Sequence, residues 1–255
     1  MTALPSTPPV PTSAEALAHV TATEWTAVLS GPADEAAPWV TAAATLGRAN
    51  AQAVLGQWYL DGHGVARNPA QALHWFLKAA EQSHAMGMNM AGRCLENGWG
   101  APIDLFAAVA WYKKAASLGL DAGLYNLANQ LAEGKSVPQD HAAALQLYRQ
   151  SADQGHAKSM TKIGRYYEDG MVVEKDVEAA FFCYQQGAQG GDFRGQFNYA
   201  GMLAARGRLP EALEWLNKVP LTATPAYLQK VGAVLRDSGV AEFAAIGMRM
   251  LATPA

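Results

Sequence analysis

Five small residues stand 36 positions apart: Gly56, Gly92, Ala128, Gly164 and Ala200. A repeat of that length constrains the fold more than any other feature, because each copy is one helix pair that buries its apolar face only by stacking on the next. The expected fold is therefore all-α, a solenoid of stacked antiparallel helix pairs. Such a scaffold serves binding more readily than catalysis.

The period holds in independent columns. Nine residues before each anchor stand Gly47, Ser83, Gly119, Gly155 and Gly191, where a helix ends and the chain takes a conformation that glycine reaches without a Cβ clash. Gly62, Gly98, Gly134 and Gly170 close the other helix of each pair. Asn68, Asp104, Asp140 and Asp176 recur ahead of Ala-rich runs, with the short polar side chains that accept from orphan N–H groups at a helix start. Pro69 follows Asn68 at the first helical position, where a missing N–H is no loss. In the second helices, Ala72, Ala108, Ala144 and Ala180 are followed by Trp75–Phe76, Trp111–Tyr112, Leu147–Tyr148 and Cys183–Tyr184. A small residue on one side and a ring on the other lets neighbouring helices interdigitate without voids.

At 255 residues the chain reads as one continuous array, since a solenoid has no globular size limit. Half of it is hydrophobic and the formal charge is −3. That balance argues against nucleic acid, which calls for a basic stripe. No run approaches the roughly 20 apolar residues of a membrane span, and the opening MTALPSTPPVPTSAEALAHV has neither the basic nor the apolar segment of a secretory signal. Cys94 and Cys183 fall in different repeats and on different helices, too distant for a disulfide's roughly 7 Å Cα limit. A reduced, cytoplasmic protein is expected.

The ends depart from the pattern. Residues 1–13 read as a disordered Pro/Thr-rich tail and 14–48 as a degenerate repeat, its earlier helix within 14–30 and its later one carrying Trp39, one period before Trp75. The array proper covers 49–220. Its last unit is shortened, because LAARGRLPEALEWL sets Trp215 four residues early. Apolar spacing in 225–238 and 240–251 marks capping helices within 221–255.

The strings LGQWYLDGHGVARNPAQALHWFLKAAEQSH and IGRYYEDGMVVEKDVEAAFFCYQQGAQGG resemble Sel1-like repeats, relatives of tetratricopeptide repeats with a longer loop inside each helix pair. The resemblance spans about residues 35–220. It implies a right-handed superhelix whose first helices line a concave face, and an adaptor that binds proteins. Some secreted members carry cysteine pairs within each repeat, which this chain lacks.

Helical spacing then assigns the residues of that face. They include Asn89, Arg93 and Glu96, then Tyr125, Asn126 and Asn129, then Lys162, Arg165 and Glu168, then Arg194, Phe197, Asn198 and Gly201. Asparagine is a poor helix former, so its recurrence inside helices points to amides bonding an extended peptide. The arginines offer forks suited to carboxylates, and Tyr125 and Phe197 are candidate anchors. Asn129, Lys162, Arg194 and Asn198 fall near the positions with which tetratricopeptide domains hold a peptide's terminal carboxylate, although Tyr125 replaces the usual first lysine.

The six histidines never adopt a metal-ligand spacing and no Gly-rich phosphate loop is present, so neither metal nor cofactor is expected. His84 and His156 share a column after a helix end, where they would cap the last carbonyls. One rival reading is hydrolytic. Ser159-Met-Thr-Lys162 spells the SxxK of penicillin-interacting enzymes, without the companion SDN and KTG motifs. Another is self-assembly through the ends of the stack. The reading carried forward is a non-catalytic adaptor for a protein or peptide.

Overall fold

The computed structural model describes residues 9–253, which hold fifteen α-helices, one 3-10 turn and no strand. The described chain divides into two compact units, the first running to Gln130 with Lys135–Pro138, the second comprising Leu131–Gly134 and everything from Gln139.

The first unit contains α1 (Ala14–His19), α2 (Ala22–Ser30), α3 (Ala33–Thr45), α4 (Ala49–Asp61), α5 (Pro69–Glu81), α6 (Ala85–Asn97), α7 (Leu105–Ser117) and most of α8 (Asp121–Glu133). The second contains α9 (His141–Ala152), α10 (Ala157–Asp169), α11 (Val177–Gln189), α12 (Phe193–Ala205), α13 (Leu209–Lys218), α14 (Pro225–Arg236) and α15 (Ala241–Leu251). First helices start at Ala49, Ala85, Asp121, Ala157 and Phe193, so the 36-residue period is kept to the residue. Within each unit consecutive helices pack as pairs, α4 on α5, α6 on α7, α10 on α11 and α14 on α15, and each pair packs on the next. This is the solenoid construction that the period demands.

The anchor column has a steric cause. A Cβ on Gly56 would lie 2.8 Å from the Phe76 ring, on Gly92 2.6 Å from Tyr112, and on Gly164 2.8 Å from Tyr184. These contacts are closer than carbon atoms tolerate, so the ring of the second helix sits where a side chain of the first would be. Tyr112 and Tyr148 are wholly buried, and Phe76 and Tyr184 are 1% exposed. Turn geometry is equally direct: Gly47, Gly119, Gly155 and Gly191 all have φ between 76° and 89°, and Ser83 is held at 61° in the same column. The expected caps form, with Oδ1 of Asn68, Asp104, Asp140 and Asp176 accepting from N–H groups of α5, α7, α9 and α11 at 2.9–3.1 Å.

The first eight residues of the expected tail lie outside the described residues. Ser13, its last residue, already caps α1 by accepting from the Ala16 N–H. The single helix expected within 14–30 is two. Thr21 starts a new one with a capping box, its hydroxyl accepting from the Glu24 N–H while Glu24 accepts from the Thr21 N–H at 2.8 Å. The shortened unit is as expected, with α12 and α13 separated by three residues and Ala200, Ala212 and Leu216 in one core.

Candidate peptide-binding face

In the first unit the polar residues of the first helices mostly satisfy one another. Asn89 is 2% exposed, so it lies inside the stack rather than on a face. Its Oδ1 accepts from Asn126 Nδ2 at 2.8 Å, tying α6 to α8. Glu96 is likewise structural: Oε2 accepts from the Tyr112 hydroxyl and Oε1 from Gln130 Nε2, both at 2.6 Å. Burial first, then this bond and the Glu96 charge, push the Tyr112 phenol far above its ordinary range. Arg93 is half-buried, with its guanidinium 5.4 Å from the Trp99 ring centroid and Nη1 3.5 Å from Met90 Sδ. Tyr125 and Asn129 are half-buried and each engages a neighbour.

The second unit is different. Lys162 on α10 is half-buried and makes no ion pair or hydrogen bond among the described residues. Burial lowers its pKa; Glu133 and Asp192 oppose the shift, while the Arg194 and Arg165 charges add to it. Three cations from α10 and α12 thus share one electrostatic neighbourhood with the carboxylates of Glu133 and Asp192. Arg165 is 73% exposed and pairs with Asp169 at 3.2 Å. Arg194 is exposed and lies over the Phe193 and Tyr227 rings, 4.5 and 5.4 Å from their centroids, without a carboxylate partner among the described residues. Burial pushes the Tyr227 phenol up to about 12. Phe197 is half-buried and meets Tyr227 edge-on at 6.3 Å. Asn198 is half-buried beside it, one turn before Gly201. A Cβ on Gly201 would meet nothing within 4 Å, so no packing inside the unit requires this mid-helix glycine.

Two readings of sequence are corrected. His84 and His156 sit at the start of α6 and α10, not against the last carbonyls of α5 and α9. Nδ1 of His84 accepts from the Gly87 N–H at 3.0 Å, leaving Nε2–H to donate to Asn50 Oδ1 at 3.0 Å. Ser159 is wholly buried, and its hydroxyl donates to Ser151 Oγ at 2.8 Å while His156 Nδ1 lies 2.9 Å away. This hydroxyl lies within bonding distance of Ser151 and His156 and makes no hydrogen bond to Lys162 among the described residues, and its burial leaves no surface for an acyl group to approach. The SxxK spacing is a packing arrangement at the foot of α10. Both cysteines are free and buried, and burial raises the Cys94 thiol to about 11. No helix of the described residues is long and apolar enough to cross a membrane, and no cluster of metal-ligating side chains occurs among them.

Stacked helix pairs with a fixed period, glycine-on-ring packing and polar first helices define a helical-repeat protein of the tetratricopeptide-like kind. The Sel1 repeat model matches residues 49–84, 85–120, 121–156 and 157–192, each match starting where a first helix starts. Together these cover more than half of the chain, which belongs to the Sel1 repeat family. A Sel1 repeat protein from Oxalobacter formigenes is 25% identical with a TM-score of 0.74, covering 90% of this chain and 97% of its own. The protective antigen c5321 of uropathogenic Escherichia coli, which displays an SLR fold, is 26% identical with a TM-score of 0.65. That match covers 89% of this chain, which spans about half the antigen's length, 51%. Immunity protein Pa5087 from Pseudomonas aeruginosa, 19% identical with a TM-score of 0.53 over 96% of this chain and 89% of its own, shares the fold alone. No curated protein matches the sequence.

Proposed function

We propose that the chain is a non-catalytic adaptor whose second unit binds a carboxylate-bearing peptide segment of a partner protein across α10 and α12. The observation that carries this reading is the electrostatic coupling of Lys162 and Arg194, neither in a salt bridge among the described residues although the Glu133 and Asp192 charges also act on Lys162, on the same two helices as the bare Gly201. Like charges placed together destabilise a fold unless an anion joins them, and a forked guanidinium with an ammonium suits a carboxylate. A helix-interior glycine costs about 1 kcal/mol relative to alanine, a cost explained where another backbone must come close. Asn198 supplies an amide for that backbone and Phe197 an apolar edge. In the first unit Arg93, Tyr125, Asn126 and Asn129 offer a smaller set, with Asn89 removed from it by burial. Two free, buried cysteines fit a reducing compartment, and we assign the adaptor to the cytoplasm.

An array of peptides with free or amidated C-termini tests the reading. Wild type should retain acidic or free-acid peptides that the Lys162→Glu, Arg194→Glu variant loses at unchanged helical content. Gly201→Ala should raise the melting temperature, worth about 1 kcal/mol, while weakening the same peptides. Equal retention by all three proteins would overturn the proposal.

A further inference from the structure

At the start of the first unit, α1, α2, α3 and α4 enclose a half-open cavity of about 520 Å3. Its wall is apolar, built from Leu17, Trp25, Leu29, Val40 and Val54 with alanines between them, and its polar side chains are Arg48 and Asn50. Leu29 and Val54 remain 52% and 40% exposed, so the apolar wall opens to water. Arg48 stands between α3 and α4 and is exposed; its backbone bonds Ala43 and Gln52, while its side chain has no hydrogen bond, ion pair or ring partner among the described residues. It is also the N-cap residue of the 13-residue α4 and supplies no side-chain cap. Thus an arginine whose side chain has no partner among the described residues and the start of a helix without a side-chain cap both border the cavity. Both favour an anion.

We propose that this cavity binds a medium-chain acyl carboxylate, its tail along Trp25, Leu29 and Val40 and its carboxylate at Arg48 and the first turn of α4. The volume is within the 300–1,000 Å3 range, in order of magnitude, of small-molecule sites. The distribution of polarity selects the ligand. The walls are helix flanks whose backbone groups already bond within their helices, so a peptide laid there would bury amides without partners at a cost of roughly 1–3 kcal/mol each. A molecule with its polarity at one end avoids that cost and matches the one-ended charge of the site.

Titration of the full chain with decanoate, read by Trp25-dependent fluorescence and by calorimetry, tests this. Saturable binding below the micelle concentration is expected, with decanol weaker by about tenfold, the usual scale of one lost charge-assisted hydrogen bond. Arg48→Gln should weaken decanoate by a similar factor and leave decanol unchanged. Leu29→Asp, at a half-exposed position that does not endanger folding, should weaken both. The proposal fails if decanoate does not saturate, if neither variant changes its affinity, or if a peptide ending in leucine occupies the cavity and decanoate does not compete.

Discussion

The pair Tyr184 and Glu168 allows the packing logic to be tested within one repeat. Tyr184 is 1% exposed, and its hydroxyl donates to Glu168 Oε2 at 2.6 Å. In the first repeat the same two positions are Phe76 and Leu60, an apolar pair that shares a core with Ala72 and Cys94. Glu168→Leu leaves a buried hydroxyl without its acceptor, which costs about 1–3 kcal/mol. Tyr184→Phe removes only a donor from a carboxylate at the surface, where water replaces it, so about 0.5–1.5 kcal/mol is expected. The double variant recreates the pair of the first repeat and loses the same bond only once. Its destabilisation should fall short of the sum of the singles by about 1–2 kcal/mol, the coupling typical of residues in contact. Urea unfolding followed by far-UV circular dichroism, with the four proteins compared at constant denaturant slope, measures it. Additivity within about 0.5 kcal/mol would mean that the tyrosine and glutamate are not a unit, and would refute the reasoning.

Two further outcomes are expected. Val172 holds φ at 53° in the loop position where Gly64 and Gly100 stand in earlier repeats at 65° and 85°, and a β-branched residue there is strained. Val172→Gly should raise stability by about 1 kcal/mol in the same urea assay, strain relief exceeding the entropy that glycine costs; a loss would show that the loop carries no strain. Burial lowers the His84 pKa below 6.5, and protonation of Nδ1 would displace the Gly87 N–H it accepts. A depressed folded-state pKa means that the unfolded chain takes up the proton first, so this stability is present above pH about 6.5 and is lost as pH falls through the folded value. Melting temperature should therefore decline below that pH with a slope that His84→Asn, which keeps an acceptor at the cap, reduces; an unchanged slope would remove His84 as its source.

The fold was legible because a column in a repeat records one geometry many times. Gly56, Gly92 and Gly164 recur because a ring from the next helix fills the space of their Cβ, and any single glycine would have said much less. The four caps and the helix ends were readable for the same reason. Helical spacing failed where a polar residue had a partner on another helix, in the same repeat or the next. Asn89, Glu96 and Glu168 fall on the expected face, yet Asn126, Tyr112 and Tyr184 take their oxygens. A signal was available for the acids, since glutamate stands four residues after the anchor in two of the three repeats whose ring carries a hydroxyl and leucine stands there where the ring is Phe76. His84 and His156 were misassigned because a residue between two helices can cap the end of one or the start of the other. Only the position of Nδ1 on the Gly87 N–H separates these for His84.

Columns that stop repeating then carry the remaining information. Packing columns recur because each repeat presents the same neighbours to the next, whereas a surface column has no such neighbour to satisfy. The column of Met90, Asn126, Lys162 and Asn198 changes from core apolar to bonded amide to a cation without a salt bridge and then an amide without a side-chain hydrogen bond among the described residues. That of Arg93, Asn129, Arg165 and Gly201 ends in a helix-interior glycine with open space around it. Self-packing explains Met90 and Asn126 but gives no reason for a half-buried Lys162 that the Arg194 charge opposes, or for a glycine at 201, since alanine there would stabilise the helix by about 1 kcal/mol. Departures from the internal repeat that cost stability fall together on α10 and α12, which is where a ligand acting on this scaffold would have to compensate them.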